Sequence, residues 1–552
     1  MVSQTPVDES AIRGTDEAAP AATLPARAVS GTGLLAVVTV FAVSLALDWR
    51  TLLPDVAFWD TGEFQTVGPV LGIAHPTGYP AYTLLSWLAS IVFTPFGNPA
   101  FRVDLLSAFL GAGAAALMAL AVILLTRRPV LGLAAGLALA VSPLGWEIGL
   151  AADPHALHLF LAALLLVLLI TWQQRCRAQR PRSGRWLVAA SVVFGLALGN
   201  HALTLLLAPG IGVFVLIVDP WILIRRWRLA LGCIAAIVAT TVLVYLYIPL
   251  RAAMNPPLNY ADPVTWDRFM YLVLGEQFQG TFHRLPSVAG GITIVWNEVH
   301  ANLGLGAFLA VAGAVLGAFR NPAFAVLSGL WFLLTFVFAL GYENAAIDRY
   351  YLVPLMVATI WAALALDAVW TAVARAVRGA DTPPALPYSG ASWQVRPPAP
   401  SRYRILRPSP ASALIGIVLL ALVLAPVPGR FASVDRSQDS GARAWLDATL
   451  KSVDQNAVIV SWWNYSTPLW YGRWVEGSRP DITIIDDRTI LDDGYGTAQN
   501  AIDTFLGVRP VYLIRVDSDL PQYRDRYRLV PVPGIPFQPS GTVYLVEPRS
   551  GG

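Results

Sequence analysis

The chain has 552 residues, of which 56% are hydrophobic and only 13% are charged. Runs of about 20 apolar residues recur through the first part of the chain, which excludes a single soluble domain and indicates a protein that crosses a membrane several times. The formal net charge is only +3, and nucleic acid is not expected as a partner. The two cysteines lie in a basic loop (Cys176) and in an apolar run (Cys233), so no disulfide framework is implied.

The chain begins with a polar segment, 1–30, which is rich in Ala, Pro and Thr with mixed charges. That composition predicts a disordered tail on the cytoplasmic side. The first apolar run, 31–47, is followed by no small-residue cleavage site and is predicted to be a retained membrane span. The segment 49–100 comes next and is predicted to form the first outer loop.

The position of arginines decides how the short apolar run 82–96 is interpreted. The strong span 103–125 ends in Arg127 and Arg128, and positively charged loops stay in the cytoplasm. If the run 82–96 also crossed the membrane, those arginines would lie outside. We therefore expect an interfacial or re-entrant helix there.

The remaining apolar runs alternate consistently with arginine-rich inner loops. The predicted spans are 31–47, 103–125, 129–146, 156–172, 186–199, 203–218, 229–248, 301–318, 323–340, 351–373 and 413–424. An Arg- and Pro-rich linker, 374–411, lies between the last two. This arrangement predicts a mainly α-helical, multi-pass protein of the cell membrane with the N-terminus inside and the C-terminus outside.

The composition changes after residue 428. Helix-like segments alternate with short apolar strands at 457–460, 482–485, 511–514 and 543–546. Such alternation predicts a small extracytoplasmic α/β domain over 429–552. Its acidic segment, Asp486-Asp487 and Asp492-Asp493, is interpreted as a solvated loop and not as a metal site.

The first outer loop carries the most informative sequence, Phe58-Trp59-Asp60-Thr61-Gly62-Glu63-Phe64. The Thr-Gly pair permits a tight turn, so that both carboxylates could face one small volume. Ionisable groups placed at a membrane surface beside aromatic rings usually serve chemistry or cation binding. The alternative is a solvated loop whose aromatic rings lie among the lipid headgroups.

Further polar residues fall on the predicted outer side of the membrane. They are His75, Asp153, His155, Asn200, His201, Arg251, Asn259, Tyr260, Asp348 and Arg349. Several have ordinary structural interpretations, since His201 could cap its hairpin, Asp153 could start a helix, and Asp348 and Arg349 could pair with nearby charges. Arg251 departs from the positive-inside pattern, and a guanidinium fits phosphate oxygens well.

Together these residues suit the transfer of a sugar from a lipid-linked phosphate to an acceptor hydroxyl. Asp60 is predicted to be the general base, with Glu63 orienting the acceptor or holding a cation. Arg251 is expected to stabilise the departing phosphate, and Asp153 or His155 to line the acceptor side. A divalent cation is a candidate cofactor.

Two other classes of function fit a multi-pass protein with polar outer loops. A flippase for lipid-linked sugars or a secondary transporter would often show inverted repeats, and no internal repeat is evident. A scaffold for envelope assembly would give the acidic loop no purpose.

The sequence resembles a bacterial membrane family related to the animal protein O-mannosyltransferases that act on plexin-type domains. The resemblance covers roughly 31–375, beginning with Trp59–Phe64 and the stretch 71–80, and continues at three further places. These are Asn200-His201, the stretch 247–260 and Asp348-Arg349-Tyr350-Tyr351. Where the family usually carries a Glu-Val-Tyr-like triplet, this chain has Asp153-Pro154-His155. The resemblance implies a GT-C fold, a polyprenyl-phosphate sugar as donor, membrane lipid around the helices and a protein or glycan as acceptor.

Overall fold

The computed structural model describes residues 29–343, 346–378 and 410–549. Most of the predicted tail, 1–28, lies outside the described residues, as does the central part of the predicted linker, 379–409. Side chains are described for the same ranges except 375–378 and 410–413.

The first half of the described chain is helical. Its helices are α1 Gly31–Thr51, α2 Trp59–Val70, α3 Pro80–Val92, α4 Pro99–Thr126, α5 Pro129–Ala140, α6 Pro143–Glu147, α7 Pro154–Arg177, α8 Gly184–Leu198 and α9 Ala208–Val218. Several begin with proline, whose fixed φ suits the first helical position and whose missing N–H would have no partner there. Asn98 and Asp153 cap α4 and α7 by accepting a hydrogen bond from a backbone N–H.

The second half of the membrane part is built in the same way. Its helices are α10 Ile222–Arg225, α11 Trp227–Tyr245, α12 Tyr247–Ala252, α13 Trp266–Val273, α14 Val288–Leu303, α15 Gly306–Arg320, α16 Pro322–Leu340 and α17 Leu352–Arg378. Short 3₁₀ turns lie at Ala202–Leu207, Glu276–Thr281 and Ile347–Tyr351. The last of these turns carries Asp348 and Arg349.

Seven helical stretches in the described part of the chain are long and apolar enough to cross a membrane. Helices α14 and α15 form a pair bent by 114°, and the number of such stretches rises to eight if this pair is counted as one span. Each of these stretches coincides with a predicted span. Three further predicted spans coincide with the shorter apolar helices 129–140, 184–198 and 202–218. The run 82–96, predicted to be interfacial or re-entrant, overlaps α3, a helix of 13 residues that ends at Val92. The mainly helical membrane fold is therefore confirmed, whereas the number of crossings stays a prediction.

The C-terminal part combines helices with one sheet. Its helices are α18 Pro410–Leu424, α19 Val427–Val434, α20 Gly441–Ser452, α21 Trp463–Trp470, α22 Asp487–Asp492, α23 Ala498–Phe505 and α24 Leu520–Arg524, and its strands are β1 Val458–Ser461, β2 Thr483–Ile485, β3 Val511–Ile514, β4 Tyr527–Pro531 and β5 Tyr544–Pro548. The strand order is β2-β1-β3-β5-β4. The first three strands are parallel, with Val458 opposite both Thr483 and Val511, and β5 runs antiparallel to its neighbours. The α/β architecture is confirmed.

The acidic segment of this domain is not the solvated loop that the sequence suggested. Asp486 is 2% exposed and caps α22, because its carboxylate accepts the Thr489 N–H at 2.8 Å. Asp487 pairs with Arg515, and Asp492 pairs with Arg488 one helical turn away. Burial, capping and ion pairing therefore account for three of the four carboxylates.

The C-terminal domain packs directly on the start of α2. The Phe58 ring lies 4.9 Å from the Tyr465 ring and 5.6 Å from the Trp445 ring. Arg443 contacts Asp55 at 2.7 Å. The helix that carries Asp60 and Glu63 is thus enclosed between the membrane helices and this domain.

Candidate active site

The start of α2 depends on a residue from the C-terminal domain. Phe58 at the N-cap offers no side-chain acceptor, and the Trp59 N–H donates to Asn464 Oδ1 at 3.0 Å. A helix leaves its first N–H groups without partners inside the helix, so Asn464 supplies an acceptor across 405 residues of sequence. The tight turn expected at Asp60–Glu63 is therefore wrong, since both residues lie in the first turns of a helix.

Asp60 belongs to a chain of charged contacts that crosses the site. Arg349 Nη1 lies 3.2 Å from Asp60 Oδ2 and 3.0 Å from Asp153 Oδ2. On its other side, Asp153 Oδ1 contacts His155 Nδ1 at 2.8 Å and accepts the His155 backbone N–H. The Asp60 side chain is 32% exposed and the Asp153 side chain only 8%. Arg349 thus joins one accessible carboxylate to one buried carboxylate.

The electrostatics of Asp153 follow from these neighbours. Burial alone would raise the pKa of its carboxyl, because the charged form loses hydration. The Arg349 guanidinium and the His155 imidazole outweigh burial and lower the pKa to about 2. Asp153 is therefore ionised at neutral pH, and it holds Arg349 in place for Asp60.

Glu63 is committed to a different partner. Its two oxygens contact the His75 backbone N–H and the His75 Nδ1, each at 2.7 Å, and its side chain is 3% exposed. Burial acts to lower the pKa of His75, yet the Glu63 carboxylate outweighs it and raises that pKa to about 9. The pair is thus a charged imidazolium beside a carboxylate, and it fixes the loop after α2.

Aromatic and imidazole rings form one wall of the site. The His155 ring lies 4.5 Å from the His201 ring and 5.3 Å from the Tyr350 ring. Tyr79 packs on His201 at 5.5 Å, and His158 approaches the same ring at 5.8 Å. Burial and the neighbouring imidazoles hold the pKa of His201 well below its ordinary value, so His201 is neutral.

Two histidine rings of this wall have a ring nitrogen without a hydrogen-bond partner among the described residues. His201 Nδ1 accepts the Leu203 backbone N–H at 3.1 Å, so His201 does cap its hairpin. The Nε2 atoms of His155 and His201 are buried and have no hydrogen-bond partner among the described residues. Buried polar groups in this state are costly unless a ligand supplies the missing bond.

The loop between α12 and α13, which contains Asn259 and Tyr260, reaches the site through its backbone. Ile73 and Asn259 form a parallel bridge, in which the Ile73 N–H donates to the Leu258 carbonyl at 2.8 Å. The Asn259 amide donates to Asp262 at 2.9 Å. Tyr260 donates its hydroxyl to Gln277 and is covered by the Arg488 guanidinium at 5.0 Å. This loop therefore joins the first loop to the C-terminal domain.

Arg251 lies at the opposite end of α2 from Asp60. Its Nε donates to the Leu71 carbonyl at 2.6 Å and its Nη2 to the Val70 carbonyl at 3.1 Å. Ten residues of helix between Asp60 and Val70 correspond to about 15 Å. The arginine beside Asp60 is Arg349, and the predicted contact of Arg251 with a phosphate stays a prediction.

The remaining predicted residues differ in how closely they join the cluster. The Asn200 amide donates to the Pro154 carbonyl at 2.9 Å and so fixes the start of α7. Asp348 is exposed beside Arg349. Among the described residues, no group of three or more His, Cys, Asp or Glu side chains is arranged to hold a metal ion.

Three residues of the site were missed by sequence reasoning. His158 follows His155 by one helical turn, which is a spacing that would have placed both on one face of α7. Asn464 and Trp463 lie in an aromatic run directly after β1, and the Trp463 ring is 5.9 Å from His75. That run of aromatic residues was a usable sign of a contact surface.

Comparison with known proteins links this geometry to a family. Residues 60–222 match the family model described as the protein O-mannosyl-transferase TMEM260 N-terminal domain. Over this segment the chain is similar to that domain. The matched segment begins at Asp60 and includes Asp153, His155 and His201, whereas Arg349 lies beyond it.

Two curated relatives carry the same name. The chain is 31% identical over 263 residues to the protein O-mannosyl-transferase TMEM260 of Mus musculus, over 46% of this chain and 35% of that protein. It is 27% identical over 183 residues to the Dictyostelium discoideum protein O-mannosyl-transferase tmem260, over 31% of this chain and 22% of that protein. The matches therefore span about a third or less of each relative. The predicted relationship to this family is confirmed.

Solved structures show the fold. ArnT from Cupriavidus metallidurans bound to undecaprenyl phosphate is similar over 94% of this chain and 99% of that chain, with a TM-score of 0.59 and 15% identity. The Archaeoglobus fulgidus oligosaccharyltransferase is similar over 93% of this chain and 73% of that chain, with a TM-score of 0.51 and 14% identity. The fold is thus that of GT-C membrane enzymes, as predicted, and the chain is a multi-pass membrane protein.

Proposed function

We propose that the chain is a glycosyltransferase that moves a sugar from a polyprenyl-phosphate donor to a hydroxyl of a protein or glycan acceptor on the outer face of the membrane. The observation that carries the proposal is the contrast between the two carboxylates of α2. Asp60 is 32% exposed and held at 3.2 Å by Arg349, whereas Glu63 is 3% exposed and bonded to His75 through both oxygens. Asp60 is therefore the carboxylate that an acceptor can reach.

The proposed reaction is a single displacement. Asp60 takes the proton of the acceptor hydroxyl while that oxygen forms a bond to the anomeric carbon of the sugar. The bond from this carbon to the phosphate oxygen breaks, and polyprenyl phosphate leaves with the electron pair. Attack from the face opposite the leaving group inverts the anomeric configuration.

The other residues have supporting roles in this scheme. Arg349 keeps Asp60 oriented, and Asp153 anchors Arg349 from its buried side. Glu63 acts through His75 by fixing the loop 71–79, so it is a positioning residue. The Nε2 atoms of His155 and His201 are buried and lack a hydrogen-bond partner among the described residues, and in this scheme they bond oxygen atoms of a substrate.

The negative charge of the leaving phosphate needs a cation nearby. Arg349 is the described arginine that contacts Asp60, and Arg251 is engaged with backbone carbonyls at the far end of α2. Arg251 remains the candidate for holding the phosphate of a donor that enters from that end. The name of the mouse relative makes mannose and a protein hydroxyl the first donor sugar and acceptor to test.

The test is a transfer assay with the purified full-length chain in bilayers, using polyprenyl-phosphate mannose with a labelled sugar and peptides that carry Ser and Thr. A positioned base contributes about 10²–10⁴ in rate, so Asp60→Asn is expected to lower turnover by at least about a hundredfold. Asp267→Asn removes an exposed carboxylate on α13 and is the matched control. Both variants should remain folded, as judged by thermal unfolding.

Four outcomes would overturn parts of the proposal. Near-normal transfer by Asp60→Asn would remove Asp60 as the base, and a product with the donor's anomeric configuration would exclude the single displacement. Movement of the labelled lipid across the bilayer without transfer would indicate a flippase. If the chain neither transfers the sugar nor moves the lipid, with this donor or with other polyprenyl-phosphate sugars, a scaffold function is favoured.

A further inference from the structure

A crevice lies in the C-terminal domain at the carboxyl ends of its parallel strands. It has a cavity volume of about 340 Å³, within the range of small-molecule pockets. The side chains that decide its chemistry are those of Trp462, Asp487, Arg515, Asp519 and Tyr523. They follow β1, β2 and β3, and none of them belongs to the charged chain around Asp60.

The topology of the sheet makes this edge a natural binding place. From β1 the chain passes to β2 on one side and then to β3 on the other side of β1. The order therefore reverses between β1 and β3, and the connections on either side of that point leave a gap outside the strand ends. Trp462 directly follows β1, Arg515 directly follows β3, and the Trp462 N–H donates to the Ile514 carbonyl at 3.2 Å.

Arg515 has more donors than its surroundings use. The side chain is 4% exposed, and its Nη1 contacts Asp487 Oδ1 at 2.5 Å. The Tyr523 hydroxyl also interacts with the Arg515 guanidinium. Even so, Arg515 Nε and Nη2 and the Trp462 Nε1 are buried without a well-formed hydrogen bond among the described residues. Leaving buried donors unpaired costs free energy, most of all on a charged group. The crevice therefore lacks acceptor oxygens that a ligand would bring.

The charge of the lining identifies the kind of ligand. One arginine stands against two aspartates, so the formal charge of these five side chains is −1. That balance disfavours phosphate or carboxylate and favours a neutral molecule whose oxygens both accept and donate hydrogen bonds. Sugar hydroxyls do both, since they accept from guanidinium and indole N–H groups and donate to carboxylates, and aromatic rings complete such a site.

We propose that this crevice binds a neutral sugar ring and is a carbohydrate subsite separate from the Asp60 cluster. It lies next to that cluster, because the Trp462 ring packs at 5.4 Å on the ring of Trp59, the residue before Asp60. A glycan held there would present its neighbouring units to the end of α2. In the proposed glycosyl transfer this is the acceptor side, but sugar binding itself does not require Asp60 to be a base.

The test is saturation-transfer NMR on the full-length chain, kept in lipid nanodiscs or in a detergent without a sugar headgroup. The probes are the methyl glycosides of mannose, glucose, galactose and N-acetylglucosamine, with inorganic phosphate and acetate tested in parallel. At least one glycoside is expected to bind to the unmodified chain. Arg515→Gln and Asp519→Asn should each raise its dissociation constant about tenfold or more, since each removes a bond to a charged group.

The controls separate this proposal from the catalytic one. Arg528→Gln changes an exposed arginine of β4 and should leave binding unchanged. Asp60→Asn should also keep binding, even if it abolishes transfer. If Arg515→Gln fails to fold, the dissociation constant measured for Asp519→Asn still tests the site. Binding that neither variant weakens, binding of phosphate or acetate in place of the glycosides, or no binding by any glycoside would overturn the carbohydrate subsite.

Discussion

Asp60 and Glu63 lie one helical turn apart on α2, and their neighbours give them different chemistry. Glu63 faces His75, which takes up both of its oxygens and covers it from solvent. Asp60 faces Arg349, which bonds one oxygen and leaves the side chain a third exposed. Burial and partners, more than residue type, therefore separate a positioning carboxylate from an accessible one.

The Glu63–His75 pair predicts how stability depends on pH. The pKa of His75 is raised to about 9 in the folded state, against about 6.5 in an unfolded chain. The stabilisation is therefore fully present below about pH 6.5 and is lost as the pH rises through about 9, with an upper limit of about 3 kcal/mol. We expect the thermal unfolding temperature to fall between pH 7 and pH 10 by more in the unmodified chain than in His75→Gln.

His283→Gln provides the control for this measurement, because the His283 side chain is exposed and the backbone N–H, which the substitution keeps, donates to the Gly341 carbonyl at 3.0 Å. Its pH dependence should match that of the unmodified chain. An equal fall in all three proteins would show that His75 is not charged in the folded state.

For single residues, the sequence identified the residue types of the site but not the side chains that they contact. The span boundaries predicted that Asp60, Asp153 and His155 lie at one end of the membrane helices, and the structure does bring these three residues together. The contact between Asp60 and Arg349 joins residues 289 positions apart, and no local pattern encodes it. Arg251 shows the same limit, since its position outside the positive-inside bias did not reveal that it bonds the carbonyls at the end of α2.

At the scale of elements, the contact between α2 and α21 determines where the site lies. Gly62 permits this contact, because a Cβ at this position would lie 2.2 Å from the Ala57 carbonyl oxygen and 2.8 Å from Thr467 Oγ1. The Thr467 hydroxyl is itself bonded to the Asn464 carbonyl at 3.0 Å. The helix that carries Asp60 is thus held against the C-terminal domain at a point where only glycine fits.

Gly62→Ala is therefore expected to destabilise the chain by about 1–3 kcal/mol, as overpacking does, and to lower transfer by displacing Asp60. Gly232→Ala in α11 is the matched control, since a Cβ there would meet nothing within 4 Å. That control should be neutral or stabilising by up to about 1 kcal/mol, as alanine favours a helix. Thermal unfolding of both variants checks the prediction, and equal behaviour of the two would contradict it.

The sequence predicted most elements correctly because apolar periodicity is a local property. It failed where an element depends on distant packing. Gly62 was interpreted as a turn residue, yet it sits in a helix because another domain approaches it. β4 was missed because it is the edge strand of the sheet, has only one fully buried residue and ends in Pro531, so it lacks the alternation of a buried strand.

At the scale of the whole molecule, the two ends of the helix bundle differ in charge and in partners. One end carries the C-terminal domain, which meets Asp55, Trp59 and Tyr260 of the predicted outer loops. At the other end the predicted inner loops meet one another. There Arg128 pairs with Asp367 at 2.6 Å, and Arg127 donates to Gln174 at 3.0 Å. The grouping of the loops agrees with the alternation inferred from arginines, while the side that faces the cytoplasm stays a prediction.

This orientation can be tested by the reaction of single cysteines with a membrane-impermeant maleimide on intact bacterial cells. In a background where Cys176 and Cys233 are replaced by serine, Thr94→Cys tests the end of the run 82–96 and Val508→Cys tests the C-terminal domain. Both positions are exposed, and both are expected to react in intact cells. Arg185→Cys, at the exposed start of α8 next to the arginine-rich loop, is expected to react only after the membrane is permeabilised, because positively charged loops remain inside.

The pattern of reactions identifies which part of the topology fails. Reaction at position 508 but not at 94 would mean that an odd number of the ten spans predicted between these positions fails to cross the membrane, so that the span count and the loops after the failed span need revision. If the cysteines at 94 and 508 are protected from the maleimide and the cysteine at 185 reacts, the whole bundle has the opposite orientation in the membrane. In that case Asp60, Arg349 and the crevice beside Trp462 would face the cytoplasm, and a donor and acceptor on the outer face would be excluded.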